Sequence, residues 1–491
     1  MNDQKPPVTD RVAAGAKRPP FLVRFFLPRY MVRDDKKLGD DFGAKQIYLT
    51  FLLLAWPSLA EQVLTGIINF VDTLMVSTVG DAAVAAIGLT IQPRMIFQVV
   101  LVAIATAVTA VVARRRGQGD REGANRVLAA MLPIVVGIAA AFFALSYFFA
   151  SPILAFIGAK EDTLADATSY YRITMFGLIF LAVSLTLNGA QRGAGQTRIA
   201  MVTTMTANLV NCLFNALLIN GLWIFPRLEV TGAAIATVMG QFVAMVISVA
   251  MVISVVSVRR KNGYLFLSFS RLFRIDRKTV GPVFFVMSGA LFEQLFLRIG
   301  FFTFAKLVAG LGTLDFATHQ ICMTILNLSF TVGDGLAIAS SALVGQSLGM
   351  KRPDRALVFG KVAQRIGLGF AAVLCALVAV FRHGIIDWFT DDPDVLGKGA
   401  NVMLLIAVIL LFQIQQVMFG GTLRGAGDTR FMAVVSLLTI GIMRPALTYV
   451  LMHLAGFGLY GAWIAVLTDQ IIRAVFACVR FYRGRWTKLE L

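Results

Sequence analysis

Charge is what this 491-residue sequence has least of: only 15% of its residues are Asp, Glu, Lys or Arg, where a water-soluble protein carries roughly 25%. With 58% hydrophobic residues, most of the chain has no water to face. Histidines number 3 and cysteines 4. Cys212, Cys322, Cys375 and Cys478 show no paired or metal-ligand spacing and read as small apolar residues within helices. There is no Gly-x-x-x-x-Gly-Lys-Ser/Thr loop, no stretch large enough for a soluble nucleotide-binding domain and no nucleophile constellation, so nothing points to an enzyme or to ATP chemistry. No cofactor is expected. The first 45 residues lack the order of a cleaved signal peptide.

What is present is a series of long, continuously apolar runs. About 20 apolar residues at 1.5 Å rise cross a hydrocarbon core of roughly 30 Å, and twelve spans meet that rule: 46–73, 83–112, 127–150, 167–190, 198–221, 231–258, 279–306, 315–344, 357–382, 396–423, 431–454 and 459–480. Continuous rather than alternating hydrophobicity selects helices over a barrel. The fold class is therefore an all-α integral membrane protein.

The net charge of +18 does not signal nucleic acid, because its distribution follows the positive-inside rule. Arg114, Arg115, Arg116, Arg121, Arg126, Arg192, Arg198, Lys351, Arg352, Arg355, Arg424 and Arg430 fall in even-numbered connections, and the odd ones are acidic or neutral. Both termini are basic and are expected in the cytoplasm, with the protein multi-pass in the cell's inner membrane. Phe21 to Val32, where Arg24 and Arg29 sit among aromatics, reads either as an interfacial segment or as disorder.

An internal repeat sets the architecture. Glu61-Gln62 matches Glu293-Gln294 at 293 − 61 = 232, and the same offset carries Gly80 onto Gly312, Gly117 onto Gly349, and Arg192-Gly193-Ala194-Gly195 onto Arg424-Gly425-Ala426-Gly427. Six spans per copy give both copies one orientation and a pseudo-two-fold axis along the membrane normal. The expected plan is a basic tail (1–45), an N-terminal six-helix lobe (46–258), a linker (259–278), a C-terminal six-helix lobe (279–480) and a short basic tail (481–491), with a central cleft. Secondary transporters are commonly built this way.

An ionisable side chain at membrane depth costs about 2.5–3.5 kcal/mol on insertion scales, so each one is a functional candidate. Asp72, near the outer end of the first span, reads either as a carboxylate that alternately holds a proton or Na⁺, or as a solvated helix end. Glu61 is deeper, with Arg94 as a candidate ion-pair partner; its mate Glu293 lies near Arg298. Asn208, Asn211 and Asn215 share one helical stripe and either serve an ion near Asp72 or fasten helices together. Thr237 and Gln241 are weaker candidates. Asp334, between Gly333 and Gly335, remains a candidate too. Asp469 and Arg473, at i and i+4, are expected to pair, and Arg444, Arg172 and Lys306 to snorkel towards span ends.

Together, Trp56-Pro57 with Phe70-Val71-Asp72-Thr73, the Arg-Gly-Ala-Gly-x-Thr-Arg loop in both halves, Glu229 to Thr237 and His319-Gln320 resemble the MATE family, the multidrug and toxic compound extrusion transporters, over everything after residue 45. The resemblance implies antiport of cationic or amphipathic organic compounds against H⁺ or Na⁺. It places Asp72, Asn211 and Thr237 in an ion-coupling cluster, with Asn215 where some members have a second aspartate, and Glu293 at a seventh-helix glutamate. Gln413 falls where such members have a tenth-helix aspartate. Each lobe thus keeps one carboxylate and replaces the other by an amide, which favours H⁺ over Na⁺. Glu61, Gln62, Gln413 and Asp334 are the further polar candidates. The expected partners are the bilayer and small organic substrates, no nucleic acid, and a monomer is expected to suffice. The competing reading is a lipid-linked precursor flippase of a related superfamily, which usually needs additional spans.

Overall fold

A computed structural model describes residues 20–39, 43–221, 225–253, 264–267, 276–390 and 392–489. In lipid each backbone N–H and C=O must find its partner inside the protein, and a helix does this within its own segment. Among the described residues twelve helices of membrane-crossing length result: α1 (Ala44–Ser77), α2 (Asp81–Gly117), α3 (Arg121–Ile157), α4 (Glu161–Gly193), α5 (Thr197–Asn220), α6 (Glu229–Val252), α7 (Arg277–Ala309), α8 (Thr313–Gly349), α9 (Pro353–Asp387), α10 (Pro393–Gly425), α11 (Thr429–Leu454) and α12 (Gly458–Arg483). The shortest, α5 and α6, have 24 residues each, about 36 Å at 1.5 Å per residue, and all twelve are long and apolar enough to cross a membrane. The helices run a few residues past the apolar windows at several ends, because a backbone ladder continues wherever the interface still tolerates it. In α11 it does not stay regular: π-helical turns at Leu437–Met443 and Val450–Leu454 flank Pro445, which has no N–H to give.

Helices α1–α6 pack on one another, as do α7–α12. Most of the linker lies outside the described residues; of it, Tyr264 and Phe266 lie under the guanidinium groups of Arg116 and Arg121. The repeat is visible in the turns: Gly80 and Gly312 precede α2 and α8 with φ of 133° and 110°, a region that strains any residue with a Cβ.

The two lobes meet on the face that carries the chain ends. Gly117 and Gly349, mates in the repeat, touch there: a Cβ on either would come within 2.9 Å of the other's Cα, and one on Gly117 within 1.9 Å of the Gln346 carbonyl oxygen. Gln346 Nε2 crosses to the Gly193 carbonyl at 2.9 Å. Both chain ends also cross the boundary. Met31 and Val32 are buried against the C-terminal lobe, Leu38 N–H donates to Asp354 at 2.9 Å, and beyond α12 Trp486 stacks on Phe481 while the Leu489 carbonyl accepts from Arg114 of α2. Gly117→Ala is therefore expected to lower the apparent Tm of the purified protein, and Gly137→Ala, at a position with open space around it, to leave Tm level or slightly raised; equal effects in a thermal scan would remove this contact from the lobe interface.

Candidate ion and substrate site

Helices α1 and α5 run in the same direction and meet in a fixed register. Thr204 donates to Glu61 at 2.8 Å, Asn208 Nδ2 to Thr65 Oγ1 at 3.2 Å, and Asn215 Nδ2 to Asp72 Oδ1 at 2.9 Å. Each pair is separated by the same 143 residues in sequence. From Glu61 to Asp72 is eleven residues, so this polar seam climbs about 16 Å through the lobe. Asn208, Asn211 and Asn215 do form one stripe, and its partner is α1.

Asp72 is the outer end of the seam and is half-buried. Asn215 is buried and holds one carboxylate oxygen. Asn211, with its amide turned so that donors meet acceptors, places its nitrogen 2.7 Å from the other oxygen and 3.3 Å from the first, and its oxygen accepts the Thr237 backbone N–H at 3.1 Å. Thr237 therefore joins through its main chain; its hydroxyl bonds the Ala233 carbonyl of its own helix at 2.9 Å. No ion pair engages Asp72 among the described residues. Asn215 Oδ1 is buried without a hydrogen-bond partner. The arrangement is a lone carboxylate held by two amide donors with a spare buried acceptor beside it.

Glu61, by contrast, is paired. Its partner is Arg192 of α4, not Arg94, so the expected pairing is corrected: Arg94 has a buried Nε without a hydrogen-bond partner and forms no ion pair among the described residues. The repeat does not reproduce this bridge in the other lobe. Glu293 is buried, but Arg424, the mate of Arg192, bonds the Gly420 carbonyl at 3.3 Å instead. Glu293 also makes no ion pair with Arg298. The register of 143 recurs between α7 and α11, where Thr429 bonds the Val286 carbonyl at 2.8 Å; there, however, Thr65, Asn208, Asp72 and Asn215 are replaced by Leu297, Ile440, Phe304 and Leu447. Only the N-terminal lobe has the polar seam.

The C-terminal lobe has a buried charge cluster instead. Asp469 pairs with Arg444, and Arg473 Nε is 3.7 Å from the same carboxylate; all three residues are at most 2% exposed. The i, i+4 pairing of Asp469 with Arg473 is as expected. Arg444 does not snorkel; Pro445 and the π-turns of α11 set it inside the lobe. Asp334 lies within electrostatic reach of Arg424 and Glu293, and Arg473 within reach of Glu293 and Arg424, so Asp334 joins this cluster. Gln413 is buried, with its Nε2 3.4 Å from the Leu326 carbonyl, and no hydrogen bond joins it to Glu293. The Arg444–Asp469 bridge and the Glu61–Arg192 bridge could not be read from spacing, since their partners are 25 and 131 residues apart.

Helix periodicity identifies the side chains that continue the faces on which the lobes touch. On α7, Val280 and Val283 are buried in a cluster with N-terminal-lobe residues; Arg298 is eighteen residues, or five full turns, on from Val280 (298 − 280 = 18), on the same face but exposed. On α8, Gly335 packs on Leu59 of α1, and its stripe continues to Thr331, Thr324 and Gln320. On α1 the stripe from Ser58 continues to Gln62 and Asn69, and on α2 the one from Ala110 reaches Gln92, five turns back. Asn69, Gln92, Arg298, Gln320 and Thr324 are exposed at membrane depth, which polar side chains tolerate when they line a water-filled cavity rather than lipid. Above the lobe contact these stripes carry amides and hydroxyls and one ionic group among the described residues, Arg298.

The family model described as MatE matches twice, over residues 57–217 and 290–450, in keeping with the duplication. The chain is 25% identical over 445 residues to the probable multidrug resistance protein NorM of Thermotoga maritima, covering 90% of this chain and 94% of that one. It is 27% identical to the multidrug resistance protein PmpM of Pseudomonas aeruginosa, over 88% and 91% of the two chains. Its fold superposes with a TM-score of 0.82 on a multidrug resistance MATE family transporter of the MOP superfamily in an outward-facing conformation, at 20% identity over 89% of this chain and 97% of that one. A MOP superfamily transporter from Pyrococcus furiosus gives the same TM-score at 19% identity, over 90% and 97%.

Proposed function

The chain belongs to the MATE family of multidrug efflux transporters, and on that premise we propose that it exports amphipathic organic compounds, each in exchange for a proton carried by Asp72. The two lobes rock about the cleft between them and expose it to one side of the membrane at a time. Contacts on the face bearing the chain ends hold that side shut in the conformation described, so the cleft opens to the other; with the basic connections on the closed side, the chain ends lie in the cytoplasm and the protein sits in the cell's inner membrane. A single chain contains both lobes, and a monomer suffices.

The observation that carries the reading is the setting of Asp72: a membrane-depth carboxylate with two amide donors and, among the described residues, no ion-pair partner. Such a group can take up one proton, and neutralising it releases the amides to rearrange. The buried Asn215 Oδ1, which has no hydrogen-bond partner, is an acceptor that such a rearrangement can turn towards the added hydrogen. A second reading, Na⁺, is favoured by that same spare oxygen, but a hard cation asks for several oxygens, and Asn211 commits its own to the Thr237 N–H. In vesicles containing the purified protein, efflux of a fluorescent amphipathic dye is expected to follow an imposed pH gradient and to ignore a Na⁺ gradient at constant pH. Efflux driven by Na⁺ alone would overturn the proton assignment, and flux without either gradient would indicate a passive channel.

Arg298 sorts the substrates. Within the cationic and amphipathic compounds that the family resemblance implies, a cleft whose ionic group is a guanidinium favours molecules bearing an acidic group. Arg298→Glu is expected to change the ratio of efflux rates for an anionic and a cationic dye of similar size by about tenfold or more towards the cation, since like-charge juxtaposition costs several kcal/mol; an unchanged ratio would place Arg298 outside the substrate path.

A further inference from the structure

On the face that bears the chain ends, away from Asp72, the N-terminal segment, α9, α10 and α12 enclose a cavity of about 240 Å³. Two cations one helical turn apart, Lys361 and Arg365, stand in its wall. Among the described residues neither has an acidic partner: the titratable groups near enough to influence them are each other, Tyr48, whose hydroxyl is within hydrogen-bonding reach of Arg365, and Tyr482. Lys361 Nζ donates to the Met31 carbonyl at 2.5 Å and lies 5.4 Å from the Tyr482 ring centroid. The Arg365 guanidinium lies over the Phe25 ring at 4.4 Å, and its Nη1 is buried with no hydrogen-bond partner. Gln364, also in the wall, is 7% exposed and its Nε2 likewise lacks a partner.

Two buried donors and two neighbouring positive charges without a counter-charge among the described residues form an arrangement that is maintained at a cost, because a desolvated cation needs an anion and a buried N–H needs an acceptor. A phosphate group supplies both: negative charge for Lys361 and Arg365, and oxygens for Arg365 Nη1 and Gln364 Nε2. The surroundings indicate the rest of the ligand. Leu368, in the same wall, is exposed, and beyond it along α9 Val373, Leu377 and Val380 are exposed as well, an apolar flank at membrane depth that acyl chains would cover. Asp354, the acid at the start of α9, is already bound by Arg352 and the Leu38 N–H and does not neutralise the pocket.

We propose that this pocket binds the headgroup of an anionic phospholipid from the leaflet on the side of the chain ends, with the lipid's tails along the exposed flank of α9. Basic pockets of this kind between membrane helices suit anionic headgroups. Because Phe25 lines the cavity and the Met31 carbonyl holds Lys361, an occupying lipid also fastens the N-terminal segment to α9.

The test is native mass spectrometry of the delipidated full-length protein titrated with phosphatidylglycerol, with phosphatidylcholine and with inorganic phosphate. Wild type is expected to retain phosphatidylglycerol selectively. Substituting Lys361→Gln with Arg365→Gln is expected to weaken that binding about thirtyfold, in line with two basic contacts to an anionic headgroup, and Arg365→Lys to weaken it less. Equal retention of the two lipids by wild type, or undiminished phosphatidylglycerol binding by the double variant, would overturn the site. Inorganic phosphate competing at the lipid's own concentration would identify a soluble phosphate ligand and overturn the lipid assignment. Should the double variant fail to fold, the comparison of the two lipids on wild type still decides.

Discussion

Asp72→Asn is expected to reduce gradient-driven efflux to the level of protein-free vesicles while the variant inserts, purifies and unfolds like the wild type. Asparagine keeps the shape of the side chain and an oxygen that Asn215 and Asn211 can still engage, so the packing of α1 on α5 survives. What it loses is the capacity to take up and release a proton. Neighbouring positions provide the contrast. Asn208 bonds only the Thr65 hydroxyl along the same seam, and Asn208→Ala should cost stability of the order of one hydrogen bond, about 1 kcal/mol, while leaving coupling intact. If the Asp72→Asn protein still concentrates its dye against a gradient, the carboxylate is structural and the coupling group must be sought among Glu293 and Asp334.

The second large effect concerns stability. Among the described residues Asp469 is the ion-pair partner of both Arg444 and Arg473, and all three are shut away from solvent. Asp469→Leu leaves two guanidinium groups without their counter-charge, and breaking a buried pair costs about 3–5 kcal/mol. The expected result is a protein that purifies poorly or unfolds well below wild type in a thermal scan. Replacing all three by apolar residues of similar size, as Arg444→Met, Asp469→Leu and Arg473→Met together, should recover much of the loss, because the cost lies in the uncompensated charge and not in the missing bridge. A single variant as stable as wild type would show that water reaches the cluster. If the triple variant is stable yet transports poorly, the network also serves the movement of the C-terminal lobe.

The two predictions fall on different lobes, and that division was not visible in the repeat. Glu61 and Glu293 are equivalent by offset, yet one has Arg192 and Thr204 as partners and the other lies in a cluster of buried arginines. Sequence equivalence says that two residues occupy the same place on the same helix. The side chains across from them decide what each can do.

The sequence by itself determined the membrane class, the twelve helices and the duplication, because a hydrocarbon solvent leaves a chain so little choice: apolar length sets the span, backbone hydrogen bonding sets the helix, and a constant offset sets the pseudo-two-fold. It also singled out Asp72 and the asparagine stripe, since polar groups at membrane depth are few enough to count. Only the tertiary structure decided the partners: that Arg192 and not Arg94 holds Glu61, that Thr237 acts through its main chain, and that Arg444 turns inward. Those outcomes depend on which helix faces which and at what register, and the pattern of one helix contains no information about the face of another.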